Sequence, residues 1–322
     1  MNNISISIIM AVYNVGLYLD EMLNSLYSQT FNEFELIIVN DGSTDNSLEI
    51  IEKYQRLYNN IEVINQENKG PSEARNVAIE KIKGKYTLFL DSDDYMDANM
   101  LEKMYEKAEK NDADIVICGY RKVYDYNEDK KECYTFDVDE DRVYSNIEVM
   151  KMMLQEKVRG YLWNKLFLTR NIKEYNMHFE VGRLVEDTVP VYKQVSNSKK
   201  IMFINTPLYN YRQRQTSSLH SKSIKLIDDY IFAFKSLLEY TNGFKEIEID
   251  YYYRIIDNLQ AIPIHDLVLL NEKCDKSTYD KYKVLNKSIF NIIFKIKTPA
   301  RTKARLVLFK LRLLHIFYKL VN

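Results

Sequence analysis

The sequence predicts an α/β protein built on a mostly parallel β-sheet with helices on both faces. Three observations carry that prediction. The first 118 residues alternate short apolar runs with amphipathic stretches of helical period. The apolar runs are nearly continuous, as strands buried on two faces require. Several runs also end abruptly in polar or acidic residues, as strands do where they emerge at one edge of such a sheet.

The elements follow in order. Ile4 to Val12 is an Ile-rich apolar run, and Leu19, Met22, Leu23 and Leu26 then recur at helical spacing. A strand at Glu35–Asn40 precedes a helix from about Asp45, with Leu48, Ile51 and Tyr54 on one face. Ile61–Ile64 reads as a third strand. The next helix opens at Gly70-Pro71, where proline suits a first turn, and is expected to stop at Gly84. Tyr86–Leu90 is a strand, Leu101, Met104, Tyr105 and Ala108 mark a helix, and Ile115–Cys118 is a strand. Residues 120–144 are Tyr-rich, charged and roughly alternating, the pattern of antiparallel strands or a hairpin at a sheet edge. Ser145 and Glu148 form a capping box for a helix reaching about Leu154. Residues 160–220 are mixed, and the chain reads as helical beyond about Ser223. The expected organisation is one domain over residues 1–222, divided near residue 118 into a nucleotide-binding and an acceptor half. A helical region over 223–322 follows.

Composition narrows the function. The chain has 322 residues, 46% hydrophobic and 28% charged, the balance of an ordinary globular protein. A net charge of −1 offers no reason to expect nucleic acid as a partner. The average hides an asymmetry, because residues 281–322 carry eleven Lys/Arg and no Asp or Glu, which leaves the remainder near −12. Cys118, Cys133 and Cys274 are too few and too widely spaced for a disulfide framework or a zinc site, which fits a reducing cytoplasm. The N-terminus lacks the basic start and cleavage site of a signal peptide, and no uncharged apolar run reaches the ~18 residues of a membrane span. Neither a Gly-x-Gly-x-x-Gly nor a Gly-x-x-x-x-Gly-Lys-Ser/Thr motif occurs, against a dinucleotide fold and a P-loop enzyme. No His-Glu-x-x-His occurs either.

Ligands of open parallel sheets bind beyond the carboxyl ends of the strands. Tyr13-Asn14, Asp41-Gly42-Ser43 and Asp91-Ser92-Asp93-Asp94 stand at three of those ends. Asp91 and Asp93 are two apart and project to one side of an extended segment. Paired carboxylates repel unless a cation joins them, and hard oxygen ligands suit Mg²⁺ or Mn²⁺. Asp94 should point away and cap the following helix. The Asp cluster by itself fits a strand end and helix cap equally well. The Asp41 carboxylate could accept the imide N–H of a uracil, or cap the helix near residue 45. Tyr13 could lie against a base or serve as a packing aromatic. The Arg75 guanidinium could reach the base or a diphosphate, or stand as a surface charge.

Together these segments resemble family 2 glycosyltransferases. The resemblance rests on Ser7-Ile8-Ile9-Met10-Ala11-Val12-Tyr13-Asn14, Glu35 to Asp45, Asn68-Lys69-Gly70-Pro71-Ser72-Glu73-Ala74-Arg75-Asn76 and the Asp91–Asp94 loop, in that order. It covers roughly residues 4–220. It implies a GT-A fold, a Rossmann-like sheet, and inverting transfer of a hexosyl or N-acetylhexosaminyl group from a nucleotide-diphosphate sugar. On the family pattern Ala11, Tyr13, Asp41, Arg75, Asp91 and Ser92 hold the nucleotide. Asp91 lies near ribose or metal, and Asp93 is the direct ligand of Mn²⁺ or Mg²⁺. Ala11 departs from the Pro often found there, which changes loop stiffness and removes no functional group.

The resemblance extends more loosely to Trp163-Asn164-Lys165-Leu166-Phe167 and Glu186-Asp187-Thr188, similar to the acceptor-side segments of bacterial surface-polysaccharide enzymes. It assigns Asp187 as general base, with Glu186 as second candidate. Trp163 is a candidate sugar platform or a core residue, and Lys165 a candidate contact for diphosphate or acceptor. Tyr211 to His220 resembles a late segment that closes over the diphosphate. Arg212 or Arg214, Ser217 and His220 are candidates for phosphate contact, and His220 also for the metal.

The tail from residue 302 to 320 mixes Leu306, Leu308, Phe309, Leu313, Leu314 and Phe317 with Lys310, Arg312 and Lys319. That pattern suits a basic helix at an anionic membrane surface, packed on the protein body, or packed on a second subunit of a homo-oligomer. The functional expectation is a cytoplasmic glycosyltransferase, peripheral on the inner membrane face. It would use a UDP-sugar donor and a glycan or lipid-linked glycan acceptor. The rivals are a nucleotidyltransferase acting on sugar phosphates and a non-catalytic glycan-binding protein.

Overall fold

The computed structural model describes residues 4–214 together with Lys225, Asp229, Phe232, Ala233 and Ser236. Apart from those five residues the expected helical region, with its boundary near 222, Ser217, His220 and the basic tail, lies outside the described residues.

The parallel half of the sheet forms as the apolar runs require. Strand β1 (Ile6–Val12) lies between β2 (Phe34–Asp41) and β4 (Tyr86–Asp91), and β3 (Ile61–Gln66) pairs on the far side of β2, all parallel. Alternation within β1 separates two cores. Ile6, Ile8, Met10 and Val12 join a cluster with Leu19, Leu23 and Leu26 of α1 (Gly16–Tyr27), Ile51 and Tyr54 of α2 (Ser47–Leu57), and Met100 and Met104 of α4 (Met100–Asn111). On the opposite face, α3 (Pro71–Ile79) packs on β1 and β2. There Phe89 of β4 meets the edges of Phe167 and Phe179. Both faces are therefore covered, which is why β1 and the middles of β2 and β4 are mostly apolar.

The second half of the sheet is mixed. β5 is Tyr95–Met96, β6 is Ile115–Tyr124, β7 is Asn127–Tyr134, β8 is Lys165–Leu168 and β9 is Ile201–Gln213. The order is β3-β2-β1-β4-β8-β6-β9-β5, with β7 paired to β6. The short β8 runs antiparallel between β4 and β6, and β9 runs parallel to β6 and antiparallel to β5. The hairpin expected in residues 120–144 is β6–β7. Its first strand continues the apolar Ile115–Cys118 run through a register shift at Gly119. Three further helices complete the described fold: α5 (Asn146–Leu154), α6 (Thr169–Glu174) and α7 (Thr188–Asn197). None of the described helices is long and apolar enough to cross a membrane.

Local chemistry explains most element ends. The capping box before α5 is made: Ser145 N–H donates to Glu148 Oε2 at 3.0 Å, and Glu148 N–H donates to Ser145 Oγ at 3.4 Å. Helix α3 ends at Ile79, five residues before the glycine expected to stop it. Gly84 has a different task. A Cβ there would sit 2.5 Å from the backbone nitrogen of Ser7, so only glycine lets the chain pass so close to β1. Asp94 does not cap α4, whose N-cap is Asn99. It is buried and accepts the backbone N–H of Arg212 at 2.8 Å.

Candidate active site

The carboxyl ends of β1, β2 and β4 meet at one edge of the sheet, where Ala11 of β1 stands beside Asp91 of β4. The turns after β1 and β2 are tied to each other. Asn14 Oδ1 accepts the Thr44 N–H at 2.8 Å, Gly16 N–H donates to Asp45 Oδ2 at 2.9 Å, and Val15 N–H donates to Ser47 Oγ at 3.0 Å. The second turn thus satisfies amides at the start of α1 that have no partner within that helix. Tyr13 projects from this edge, 48% exposed.

Asp41 is almost wholly buried, and its carboxylate takes three hydrogen bonds. Gln66 Nε2 and Lys69 N–H donate to Oδ1 at 2.7 and 2.8 Å, and Gly70 N–H donates to Oδ2 at 2.8 Å. The carboxylate thereby holds the β3–α3 turn, with Gly70 at φ +89° as its hinge. One lone-pair direction on Oδ2 is left for a ligand by this count.

Arg75 is buried on α3 rather than exposed. Its Nη1 donates to Glu186 Oε1 at 2.7 Å and its Nη2 to Asp91 Oδ1 at 3.2 Å, and the guanidinium lies over the Phe179 ring. Phe179 is itself held by Asn76 through two backbone bonds, from Asn76 Nδ2 to Phe179 O and from Phe179 N–H to Asn76 Oδ1. Arg75 therefore joins the strand-end carboxylate to the acidic pair before α7. Burial pushes Asp91 up to about 6. Arg75 pulls it down, and Asp93 and Glu186 add to the rise.

Asp187 stands at the N-cap of α7, where its carbonyl accepts the Val191 N–H. Burial and the neighbouring Glu186 raise its carboxyl to about 7, against the pull of Arg75 and Lys165. A carboxylate poised near neutrality is suited to general-base work. Ser92 is buried in the loop between the two acids that flank it.

Three of the acceptor-side candidates are engaged within the protein, and Trp163 takes the core role that stood as its alternative. Lys165 is fully buried, and its Nζ donates to Arg159 O, Tyr161 O and Asn164 Oδ1 at 2.8, 2.7 and 2.9 Å. Three acceptors match the three protons of an ammonium, so no N–H remains for a diphosphate or an acceptor hydroxyl. Burial pulls its pKa down to about 7, with Asp187 opposing, yet the cage is built for the charged form. Trp163 is also enclosed. Tyr161 and Tyr209 stack against it at 4.7 and 4.5 Å, nearly parallel, which leaves no face for a sugar ring. Arg212 makes three bonds within the protein: Nε donates to Asp93 O, Nη1 to Asp125 and Nη2 to Glu21. It clamps β9 onto the Asp91–Asp94 loop. Arg214, weighed beside it in the sequence, is the one that reaches the site, with Nη2 2.7 Å from Asp93 Oδ2.

Sequence reasoning gave no role to Gln66, Asn76, Phe179 or Tyr209. Asn76 lies inside the matching Asn68–Asn76 segment, which was a usable signal. Tyr209, whose hydroxyl accepts the Asp91 N–H at 3.3 Å, carried none.

The donor set fits a divalent cation. Arg75 takes Asp91 Oδ1 and Arg214 takes Asp93 Oδ2, so one oxygen of each carboxylate is not engaged by arginine. Among the described residues no group of three His, Cys, Asp or Glu could hold a metal. Mg²⁺-type sites commonly use one or two carboxylates, with water and phosphate completing the shell.

Residues 7–182 match the family model for glycosyl transferase family 2. The chain belongs to that family. This glycosyltransferase is 33% identical to glycosyltransferase GlyG of Streptococcus pneumoniae serotype 4 over 224 residues, which make up 67% of this chain and 73% of GlyG. It is 35% identical to EpsH of Bacillus subtilis over 234 residues, 71% of this chain and 66% of EpsH. Its fold matches the crystal structure of S. aureus TarS 1–349 in complex with UDP with a TM-score of 0.70 and 20% identity, covering 99% of this chain and 92% of that one. The glycosyltransferase has the GT-A fold that the family implies.

Proposed function

We propose that this glycosyltransferase moves a hexosyl or N-acetylhexosaminyl group from a UDP-sugar to a hydroxyl of a glycan or lipid-linked glycan, with inversion. The observation that carries the reading is the buried Arg75, bonded at once to Asp91 on the nucleotide side and Glu186 beside the base. One side chain thereby ties the base to the edge where the donor would lie. The UDP bound to the TarS neighbour supports the choice of nucleotide.

In this reading Tyr13 and Asp41 meet the uracil, and Ala11 and Ser92 line the approach to ribose. Asp187 takes the proton of the acceptor hydroxyl as its oxygen bonds to the anomeric carbon. The bond from that carbon to the phosphate oxygen breaks, and UDP leaves with the electron pair. A single displacement inverts the centre. Asp93, with Asp91, would hold Mn²⁺ or Mg²⁺, which supplies positive charge to the departing diphosphate. Arg214 brings a second positive charge to the same place. Ser217 and His220 are proposed to complete the diphosphate side.

We assign the catalytic domain to residues 1–222 and the helical region to 223–322. The basic tail is proposed to rest on the inner face of the cell membrane, close to a lipid-linked acceptor. Flotation with anionic liposomes tests that placement. Equal flotation with and without residues 295–322 excludes it.

The deciding experiment is nucleoside-diphosphate release from a panel of UDP-, dTDP- and GDP-sugars with Mn²⁺ or Mg²⁺. Metal-dependent release from a UDP-sugar, abolished by EDTA and by Asp93→Ala, is expected. Release of pyrophosphate, or undiminished turnover in EDTA, overturns the reading.

A further inference from the structure

A second concave site lies at the other end of the sheet. A groove of about 860 Å³ opens where β2 and β3 begin, within the ~300–1,000 Å³ of small-ligand sites. Phe34 starts β2 and Asp41 ends it, so at roughly 3.3 Å per residue the groove is about 23 Å from the donor edge. None of its lining serves the transfer reaction described above.

Its chemistry excludes some ligands and favours one. Tyr58 lies parallel to Tyr27 at 3.6 Å, a ring pair at the groove wall, and remains 36% exposed. The Tyr27 hydroxyl is pinned to Asn60 Oδ1 at 3.2 Å, and Asn60 to the carbonyl of Phe34, so the pair is pre-positioned. Asn59 and Glu62 stand alongside. Glu33, Glu35 and Glu62 share the lining with a single lysine, Lys83, which is already paired with Glu35 and Glu62 at 3.1 and 3.5 Å. A phosphate or nucleotide would meet net negative charge. A neutral, hydroxyl-rich ring suits the lining. Its apolar face can lie on the tyrosine, and its hydroxyls can donate to carboxylates and exchange bonds with amides.

We propose that this groove is a non-catalytic carbohydrate site that holds a neutral stretch of a glycan chain away from the reacting end. That the glycan is the acceptor or product of this enzyme rests on the function proposed above; the binding does not. Holding a remote part of the same chain would raise the effective concentration of its reacting end at Asp187.

The test is calorimetric titration of the 322-residue chain with chitohexaose, cellohexaose and maltohexaose as probes, with and without saturating UDP. Binding of at least one probe is expected, unchanged by UDP and by Asp93→Ala. It should weaken at least tenfold in Tyr58→Ala and in Glu62→Gln, with UDP affinity intact as proof of folding. Absence of binding to all three probes, binding untouched by both groove variants, or binding abolished by Asp93→Ala would each overturn the proposal. The readout needs no turnover, so it stands apart from failure of the transfer assay.

Discussion

Arg75 Nη1 lies 2.7 Å from Glu186 Oε1, across 111 residues of chain. The same guanidinium reaches Asp91, so three charged groups from α3, β4 and the turn before α7 form one ion-paired unit centred on the buried Arg75. The arrangement makes Arg75 a positioning residue for both halves of the site.

Replacing Arg75 with Met should therefore act on stability as well as turnover. It leaves Glu186 and Asp91 without their cation. A broken buried pair costs ~3–5 kcal/mol. Asp91 retains 33% side-chain exposure, so about 2–4 kcal/mol is expected here. Urea unfolding at pH 7 measures it, and a loss under about 1 kcal/mol would show that the unit is not held by Arg75.

Asp187→Asn should keep UDP affinity, measured by calorimetry, and lower transfer by about 10²–10⁴, the usual contribution of a well-placed base. Near-normal turnover in this variant would move the base assignment to Glu186.

The pH dependence follows from the raised Asp187 carboxyl. A base works ionised, so transfer should rise with pH through about 7. Stability has the opposite sign. The folded-state pKa lies above the ~3.9 of an unfolded Asp, so the native state binds the extra proton between those values. That contribution is complete below about pH 4 and lost as pH rises through about 7. Asp187→Asn removes the penalty, so its Tm should exceed that of the unmodified chain at pH 8 and approach it near pH 5. An equal difference at both pH values would refute the shift.

Lys165→Met is expected to destabilise by about 2–4 kcal/mol, because the carbonyls of Arg159 and Tyr161 lose their charged donor in a buried site. UDP affinity should not change, since the ammonium has no N–H to spare for a ligand. Thermal melts and UDP calorimetry on the same samples separate the two effects. A weakened UDP affinity with an unchanged Tm would restore Lys165 to the ligand site.

Much of this was legible in the sequence because its cause is local. Nearly continuous apolar runs and helical spacing placed β1, α1, β2, α2, β3, β4 and α4, and the Ser145–Glu148 box placed the start of α5. The acidic strand ends at Asp41 and Asp91 followed from strand direction alone. The errors arose where a local signal had a distant cause. Gly84 resembles a helix stop, but its glycine is required by β1 passing 2.5 Å from where a Cβ would be. Asp94 resembles a cap, but β9 supplies its partner from 118 residues away.

By itself the sequence determined the parallel half of the sheet, the family, and which residue types stand at the strand ends. Burial pattern and turn chemistry act over a few residues and are written in order along the chain. Only the tertiary structure decided what each side chain does there. It turned Arg75 inward between two carboxylates, enclosed Trp163 between two tyrosines, and spent Lys165 on its own loop. It also set Arg214 on the carboxylate of Asp93 and Arg212 on its backbone carbonyl. Those outcomes depend on which groups from distant segments arrive within about 3 Å of one another, because a hydrogen bond or ion pair made at that range is gone a few ångströms further out.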